Sequence, residues 1–240
     1  VIAAGAGDDV PAGVSARHAW PSLPTNLGWC ASGLPLSARG LGDLFHAPAY
    51  TAPLWGARPL VLTVHDVSYA RRPEWYPYRR DPLRLAFYRH SARRADRIIT
   101  DSEFSRGEIE AAYGIPRDRI AVVPLGVEPH FTPRTAHSAP RTAHSALYVL
   151  HVGDLHPRRQ LGMLLDLVLS LRARDAWRSL YLLLVGRDLG VRDALLARAR
   201  QAGQPDAVVH RSAVPENALV ACYQGARALV YPSMYEGFGL

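Results

Sequence analysis

The sequence contains no lysine, although it is basic. All 28 basic residues are arginine, against 21 acidic residues, which gives a formal net charge of +7. A coding bias toward GC-rich codons, also visible in the abundant alanine, glycine and proline, explains the arginines most simply. The alternative is a basic face toward nucleic acid or anionic lipid. No nucleic-acid-binding motif accompanies the arginines, so we expect no nucleic-acid partner.

Cysteines are few, and long apolar runs are absent. Cys30 and Cys222 are far apart and fit neither a metal nor a redox spacing, which favours a reducing compartment. No run of about 18 apolar residues occurs, so the sequence offers no transmembrane helix. Val1 opens no basic-then-apolar leader. We therefore expect the chain to be an internal piece of a longer protein.

Short apolar strands alternate with helical patterns between residues 43 and 127. Strands are predicted at residues 43–48, 60–64, 97–100 and 120–123. Asp81 and Pro82 fit the start of a helix. Ser105 and Glu108 have capping-box spacing for a second helix, which Gly114 would end. This order predicts a doubly wound parallel sheet.

His65 is the first candidate site residue. The apolar strand at 60–64 delivers His65 and Asp66 at its carboxyl end, where ligands bind in open α/β sheets. The alternative is a loop histidine whose hydrogen bonds go to the backbone. The stretch 71–80 (RRPEWYPYRR) also keeps two interpretations, a surface that stacks on sugar or approaches lipid headgroups, and a packed loop.

Two other motifs are set aside. Residues 1–7 (VIAAGAG) suggest a dinucleotide loop, but Val10 stands where the third glycine belongs and two aspartates would repel a pyrophosphate. Residues 133–146 are two copies of PRTAHSA, which indicates a duplicated linker. His137 and His144 in these copies have no companion ligand types, so we expect no metal there.

The second half begins with a strand at 147–152 that runs into Gly153. Arg158 and Arg159 follow, just before a helical pattern that begins at Leu161. Two guanidinium groups in the first turn of a helix, beside its free N–H groups, suit a diphosphate. The alternative is a pair of solvated arginines, although cations are disfavoured there without an anion. Further strands are predicted at 180–185 and 207–210, and a helix at Glu216.

The chain closes on YPSMYEGFGL. Residues 228–231 predict a short buried strand, and Glu236, Gly237, Phe238 and Gly239 follow it. Glycines on both sides of an aromatic residue let backbone N–H groups approach a ligand. A helix beginning at or just after Leu240 would favour an anion at the same place. The Glu236 carboxylate could accept hydrogen bonds from sugar hydroxyls beside it.

This ending resembles the E-G-F-G-L-P motif of the retaining glycosyltransferases of family four, which have the GT-B fold. The strings HDVSY, TDSEFSR, VVPLGVE and HPRRQ are similar to other family segments in the same order. The resemblance covers most of residues 43–240. It implies an α/β fold of two Rossmann-like, doubly wound parallel-sheet domains facing across a cleft, both incomplete. The predicted limits are 1–128 for the acceptor-side domain, 129–146 for the linker and 147–240 for the nucleotide-sugar domain.

The resemblance also implies a function, the transfer of a mannose- or glucose-type hexose from a nucleoside-diphosphate sugar to a hydroxyl with retention. His65 and Glu236 are then the catalytic candidates. The other implied site residues are Arg158, Arg159 and Gly153 for the diphosphate, Glu236, Gly237, Phe238 and Gly239 for the sugar, and Val214 for the base. Arg159 replaces the usual lysine, and Asp154 stands where many members carry a phosphate-facing residue.

The expected partners are a nucleotide-sugar donor and a hydroxyl acceptor on a glycan or lipid-linked sugar. No cofactor or obligatory metal is expected, since the sequence has no Asp-x-Asp. The expected location is cytoplasmic, and a position at the inner face of the membrane with peripheral contact is left open. Two alternatives stay open, a non-catalytic or degenerate nucleotide-sugar-binding protein and a nucleotide-sugar epimerase on the same fold.

Overall fold

The chain is described here from a computed structural model, for residues 2–3, 17–18, 25–77, 81–132 and 147–239. It forms two compact units. The first unit is Val1–Leu125 with Glu236–Leu240, and the second unit is Gly126–Tyr235. The PRTAHSA repeat, most of residues 1–7, residues 78–80 and Leu240 lie outside the described residues.

A four-stranded parallel sheet is the centre of the first unit, in the order β3-β4-β5-β6. Its strands are β3 (Phe45–Ala47), β4 (Leu60–Thr63), β5 (Arg97–Thr100) and β6 (Ile120–Val122). Ala47, Leu62, Ile98 and Ile120 lie in register across it and are all buried. Two further strands, β1 (Ile2–Ala3) and β2 (Arg17–His18), form a separate parallel pair. The predicted parallel α/β architecture is confirmed.

Helices connect the strands of the first unit. They are α1 (Asn26–Gly28), a π-helical turn (Trp29–Gly33), α2 (Leu34–Ala38), α3 (Ser68–Arg71), α4 (Pro82–Arg94) and α5 (Glu103–Tyr113). As predicted, Asp81 caps α4, because its carboxylate accepts a hydrogen bond from the Arg84 N–H at 3.0 Å. Gly114 ends α5 in a left-handed conformation, also as predicted.

The predicted capping box at Ser105 and Glu108 is wrong. The N-cap of α5 is Ser102, whose backbone is extended and whose Oγ accepts a hydrogen bond from the Ser105 N–H at 3.0 Å. Ser105 and Glu108 lie inside the helix. The Glu108 carboxylate instead binds the Arg71 guanidinium at 2.8 Å. Ser102 is thereby placed directly after the carboxyl end of β5.

The second unit repeats the same plan. Its parallel sheet has the order β10-β7-β8-β9, with β7 (Tyr148–Val152), β8 (Tyr181–Val185), β9 (Val208–Arg211) and β10 (Ala228–Leu229). Its helices are α6 (Leu161–Leu171), α7 (Arg192–Gln201) and α8 (Glu216–Gly225). Leu182 and Leu184 of β8 pack into one core, and Leu183 and Val185 into another. Both faces of this strand are therefore covered.

The strand predicted at 228–231 is shorter and less buried than expected. Only Ala228 and Leu229 pair with β7, and Leu229 is 47% exposed. The apolar run predicted a buried strand, but β10 lies at the end of the sheet order. An apolar sequence alone does not distinguish a central strand from an edge strand.

Candidate active site

His65 lies just past β4 and pairs with a buried carboxylate. Its Nδ1 atom is 2.9 Å from Oδ2 of Asp101, the residue that follows β5. The Asp101 side chain is 6% exposed, whereas that of His65 is 39% exposed. Because β4 and β5 are neighbouring parallel strands, their carboxyl ends bring the two residues together. One face of the first unit thus carries a histidine whose ring is oriented by an acid.

Tyr50 packs against the His65 ring from an unusual backbone conformation. Its φ is +53°, which is uncommon for a bulky residue. The Tyr50 N–H donates to the Thr63 carbonyl at 3.0 Å, which ties this residue to the end of β4. The two rings meet edge to face with centroids 5.7 Å apart. His65 is therefore held by an aromatic ring as well as by Asp101.

Gly237 of the predicted sugar-binding motif lies against the same strand end. A Cβ placed on Gly237 would be 2.7 Å from the His65 carbonyl oxygen and 3.0 Å from Asp66 Cβ. The Gly237 carbonyl accepts hydrogen bonds from the hydroxyls of Ser102 and Ser105, the latter at 3.1 Å. Ser105 Oγ is also 2.9 Å from the His65 carbonyl oxygen. Only glycine permits so close an approach.

The other residues of this motif are less enclosed. Glu236 is half-buried and Phe238 is 37% exposed. Gly239 has a φ of +89°, and a Cβ there would meet nothing within 4 Å. Its glycine is favoured by backbone conformation rather than by close packing. The predicted roles of Glu236, Phe238 and Gly239 toward a sugar stay predictions.

In the second unit, two glycines meet at the carboxyl ends of β7 and β8. Gly153 has a φ of +127° and Gly186 a φ of +146°. A Cβ on Gly186 would overlap the carbonyl oxygen of Gly153. The Gly153 N–H donates to the Val185 carbonyl at 2.7 Å. Gly186 therefore accepts no side chain unless the two strand ends separate, and both positions have a backbone conformation that favours glycine.

The Arg159 guanidinium lies directly beside Gly153. A Cβ on Gly153 would be 3.2 Å from Arg159 Cζ and 3.1 Å from Tyr231 Oη. Arg159 Cζ is 5.0 Å from the centroid of the Tyr231 ring, within the range of a cation–π interaction. The Tyr231 ring packs in turn on His151, with centroids 4.6 Å apart. The structure thus brings together two of the three predicted diphosphate-binding residues, Gly153 and Arg159.

The sequence predicted that Arg158 and Arg159 lie in the first turn of an α-helix, and this prediction is wrong. Pro157–Arg159 forms a 3₁₀ turn, and Gln160 then adopts a left-handed conformation with a φ of +53°. Helix α6 begins only after Gln160, which interrupts the right-handed path. Arg158 is fixed through its backbone, since its carbonyl accepts a hydrogen bond from the Met234 N–H at 2.9 Å.

Asp154 is neutralised by a neighbouring arginine. Its Oδ2 is 2.8 Å from Arg187 Nη2. Both side chains are substantially exposed, so the pair adds little stability. The pairing matters because an unpaired carboxylate next to Gly153 would repel an anion.

Val214, the predicted base-binding residue, precedes α8. It is half-buried against a cluster that contains Leu183, Val185 and Cys222. Pro215 is the N-cap, and the helix opens at Glu216 as predicted. The role of Val214 toward a base stays a prediction.

Sequence analysis missed several residues that shape these sites. Asp101 and Ser102 were quoted only within a family-like string, Ser105 there and as half of a capping box, and Tyr231 only as part of a strand. The available signal was position, since Asp101 and Ser102 directly follow a parallel strand. In the part of the chain that the structure describes, no helix is long and apolar enough to cross a membrane. The same residues contain no group of three His, Cys, Asp or Glu side chains arranged for a metal ion.

Comparison with known sequences places the chain among sugar-transferring proteins. The family model described as Glycosyltransferase Family 4 matches residues 1–131, and the model described as Glycosyl transferases group 1 matches residues 134–240. O-antigen chain mannosyltransferase B of Escherichia coli is 32% identical over 203 residues, covering 82% of this chain and 52% of that protein. D-inositol 3-phosphate glycosyltransferase of Nocardia farcinica is 30% identical over 154 residues, covering 61% and 34%. The chain thus spans about half the length, or less, of these curated relatives.

Solved structures with the GT-B fold also match the chain. WaaG, a glycosyltransferase involved in lipopolysaccharide biosynthesis, matches with a TM-score of 0.73 and 18% identity over 98% of this chain and 66% of its own. Anabaena Alr3699/HepE in complex with UDP-glucose matches with a TM-score of 0.59 and 21% identity, over 76% and 49%. At such identities the likeness establishes the fold. Since a family model matches more than half of its residues, the chain belongs to Glycosyltransferase Family 4 and has the GT-B fold.

Proposed function

We propose that the protein transfers a hexose from a nucleoside-diphosphate sugar to a hydroxyl acceptor, with retention at the anomeric carbon. The observation that carries this proposal is the Arg159 guanidinium packed beside Gly153 at the carboxyl end of β7. In open parallel sheets this end is where ligands bind. In a family whose named relatives transfer sugars, a cation held there suits the diphosphate of a donor.

Arg158 and Arg159 would stabilise the departing diphosphate. In the proposed reaction the bond between the anomeric carbon and a diphosphate oxygen breaks, and its electron pair leaves with the diphosphate. The acceptor oxygen bonds to the same carbon from the same face and passes its proton to the leaving group. A preorganised guanidinium stabilises this developing negative charge more than a freely hydrated guanidinium does. The arginines thus supply the positive charge, and we propose that no metal is obligatory.

The conformation around Gly153 suits this role. Arg159 contacts the Tyr231 ring face, so its guanidinium is oriented before any ligand arrives. Asp154 is engaged by Arg187, so its negative charge is offset. A phosphate oxygen could therefore approach this strand end without meeting an unpaired carboxylate.

In the first unit, we assign His65 and Glu236 to the hydroxyl groups of the donor sugar. Both carry groups that accept hydrogen bonds, and the Glu236–Gly239 motif is anchored beside His65 through Gly237. Their proposed work is orientation of the sugar, with Phe238 and Gly239 lining the same motif. Val214 is assigned to the base of the nucleotide.

The relatives support the class of donor. One curated relative is named a mannosyltransferase, and one structural neighbour is described in complex with UDP-glucose. We therefore propose a mannose- or glucose-type hexose as the transferred sugar and a hydroxyl of a glycan or lipid-linked sugar as the acceptor.

Calorimetric titration with UDP-, GDP- and ADP-sugars tests the proposal. We expect saturable binding of one donor, and loss of that binding in Arg158→Ala/Arg159→Ala. The matched control is Arg178→Ala/Arg200→Ala, which removes the same charge from exposed positions of the second unit. The control should bind like the unchanged chain. A folded chain that binds none of the donors would overturn the proposal and favour a degenerate family member.

A further inference from the structure

The contact between His65 and Asp101 determines which ring nitrogen carries a proton. An ionised carboxylate only accepts hydrogen bonds, so the His65 Nδ1 that lies 2.9 Å from Asp101 Oδ2 must donate. In the neutral ring, Nε2 is then a hydrogen-bond acceptor. A hydroxyl group is the complementary donor.

We propose that Asp101 is a positioning residue, which holds His65 as the Nδ1–H tautomer so that Nε2 accepts a hydrogen bond from one hydroxyl of the donor sugar. The sugar half of this inference rests on the function proposed above. The tautomer half rests on this structure alone. Asp101 itself makes no contact with the sugar in this proposal.

The burial of Asp101 supports a dedicated role. The residue is 4% exposed, and a buried carboxylate is costly unless it is paired and hydrogen-bonded. His65, which is partly exposed, supplies that pairing. The Asp101 carboxylate therefore faces the edge of the imidazole ring that carries Nδ1.

Neighbouring contacts fix both members of the pair. Thr100 Oγ1 donates to the Val64 carbonyl at 2.7 Å, which joins the ends of β4 and β5 next to them. Ser105 Oγ holds the His65 carbonyl, and the Tyr50 ring meets the imidazole edge to face. These contacts restrict rotation of the imidazole, so Nε2 keeps one direction. Fixed orientation of a polar group is what a hydroxyl-specific contact needs.

The tautomer is measured by ¹⁵N NMR of the chain labelled at histidine, with His65→Gln identifying the resonances. We expect the Nδ1–H pattern for neutral His65. The Nε2–H pattern in the unchanged chain would overturn the proposal, and that result does not depend on any variant folding. Asp101→Asn should change the pattern, because an amide can donate as well as accept. The control Asp118→Asn, at an exposed position of the same unit, should leave it unchanged.

Donor binding separates positioning from general structural support. We expect Asp101→Asn to weaken binding of the donor about tenfold, as the loss of one oriented hydrogen bond would. A deoxy donor that lacks the contacted hydroxyl should bind the unchanged chain and Asp101→Asn equally. If Asp101→Asn weakens the binding of every deoxy donor by the same factor, Asp101 has a merely structural role and the inference is refuted.

The two proposals fail in different ways. If the unchanged chain binds a donor and Asp101→Asn alters neither the tautomer nor the affinity, the inference fails and the proposed function stands. If no donor binds, the proposed function fails together with the sugar half of the inference. The NMR measurement then still decides whether Asp101 controls the His65 tautomer.

Discussion

Gly237 packs on the backbone of His65 with room for a hydrogen atom but not for a methyl group. A Cβ there would lie 2.7 Å from the His65 carbonyl oxygen. The glycine is thus required by the neighbouring chain, and its carbonyl is held by Ser102 and Ser105. The first glycine of the motif anchors the loop, which leaves the following residues to present their groups to a ligand.

Gly237→Ala should lower the free energy of unfolding by about 1–3 kcal/mol, because the added methyl group meets backbone that cannot rotate away. Urea unfolding measures the change. The control is Gly107→Ala inside α5, where a Cβ would meet nothing within 4 Å. Alanine there should be neutral or stabilising, by up to about 1 kcal/mol. Equal destabilisation by both substitutions would contradict the packing argument.

Ser102 caps α5 and donates a hydrogen bond to the Gly237 carbonyl, and two substitutions separate these roles. Ser102→Ala should cost about 0.5–2 kcal/mol of stability, since α5 loses its N-cap. Ser102→Asp should recover most of this loss, because a carboxylate caps a helix well and suits its N-terminus. A carboxylate cannot donate to the Gly237 carbonyl, however, so only the Ser105 hydroxyl still holds that carbonyl. Urea unfolding of Ser102→Asp should therefore give a free energy of unfolding that stays below that of the unchanged chain, and full recovery would count against the loop contact.

Three glycines of the second unit form a graded series. Gly190→Ala meets only backbone strain, since its φ is +91° and no atom lies within 4 Å of the added Cβ. We expect a cost of about 1–3 kcal/mol there. Gly153→Ala also displaces the Arg159 guanidinium and should weaken donor binding as well. Gly186→Ala overlaps the Gly153 backbone and should cost more than about 4 kcal/mol. Urea unfolding in which Gly186→Ala loses less stability than Gly190→Ala would refute this order.

The chain should lose stability at alkaline pH through two buried tyrosines. The hydroxyls of Tyr69 and Tyr113 are 2.5 Å apart. Burial raises the pKa of Tyr113 to about 12 and also raises the pKa of Tyr69. The folded state therefore resists losing these protons while the unfolded state releases them near about pH 10. Stability present below that pH is lost as the pH rises toward 12.

Thermal unfolding between about pH 8 and about pH 11 checks this expectation. The melting temperature of the unchanged chain should fall steeply above about pH 10. In Tyr69→Phe/Tyr113→Phe the fall should be shallower, because neither buried hydroxyl remains to ionise. Parallel curves for the two proteins would assign the alkaline loss to other groups.

The strands of the two four-stranded sheets could be predicted because most of them are short apolar runs between turn residues, whereas the pair β1 and β2 was not predicted. The predicted strand at 97–100 has the observed bounds, and the one at 180–185 begins one residue early. The exposure of Leu229 could not be predicted, since strand order in a sheet is set by the whole chain. Local composition is the same for a strand with one neighbour and a strand with two.

The N-cap of α5 shows why local spacing misled. Ser105 and Glu108 satisfy the capping-box pattern, but Glu108 is taken by Arg71, which is 37 residues away in sequence. Ser102 is the N-cap instead, because β5 ends at Thr100 and the helix begins only three residues later, at Glu103. The pairing of His65 with Asp101 was likewise out of reach, because it requires the relative register of two strands. The left-handed conformation at Gln160, which separates the arginines from α6, could not be predicted either, because the residue is not a glycine.

The hydrogen bond from Ser102 to Gly237 joins residues 135 positions apart, whereas His65 and Asp101 are separated by 36. Closing the longer loop in an unfolded chain costs roughly 1 kcal/mol more, at about 0.6 kcal/mol for each doubling of length. During folding, the histidine and its acid can therefore meet as soon as two neighbouring strands pair. Because the loop at residues 236–239 has the larger closure cost, we expect it to join them later in folding and to be released first on warming.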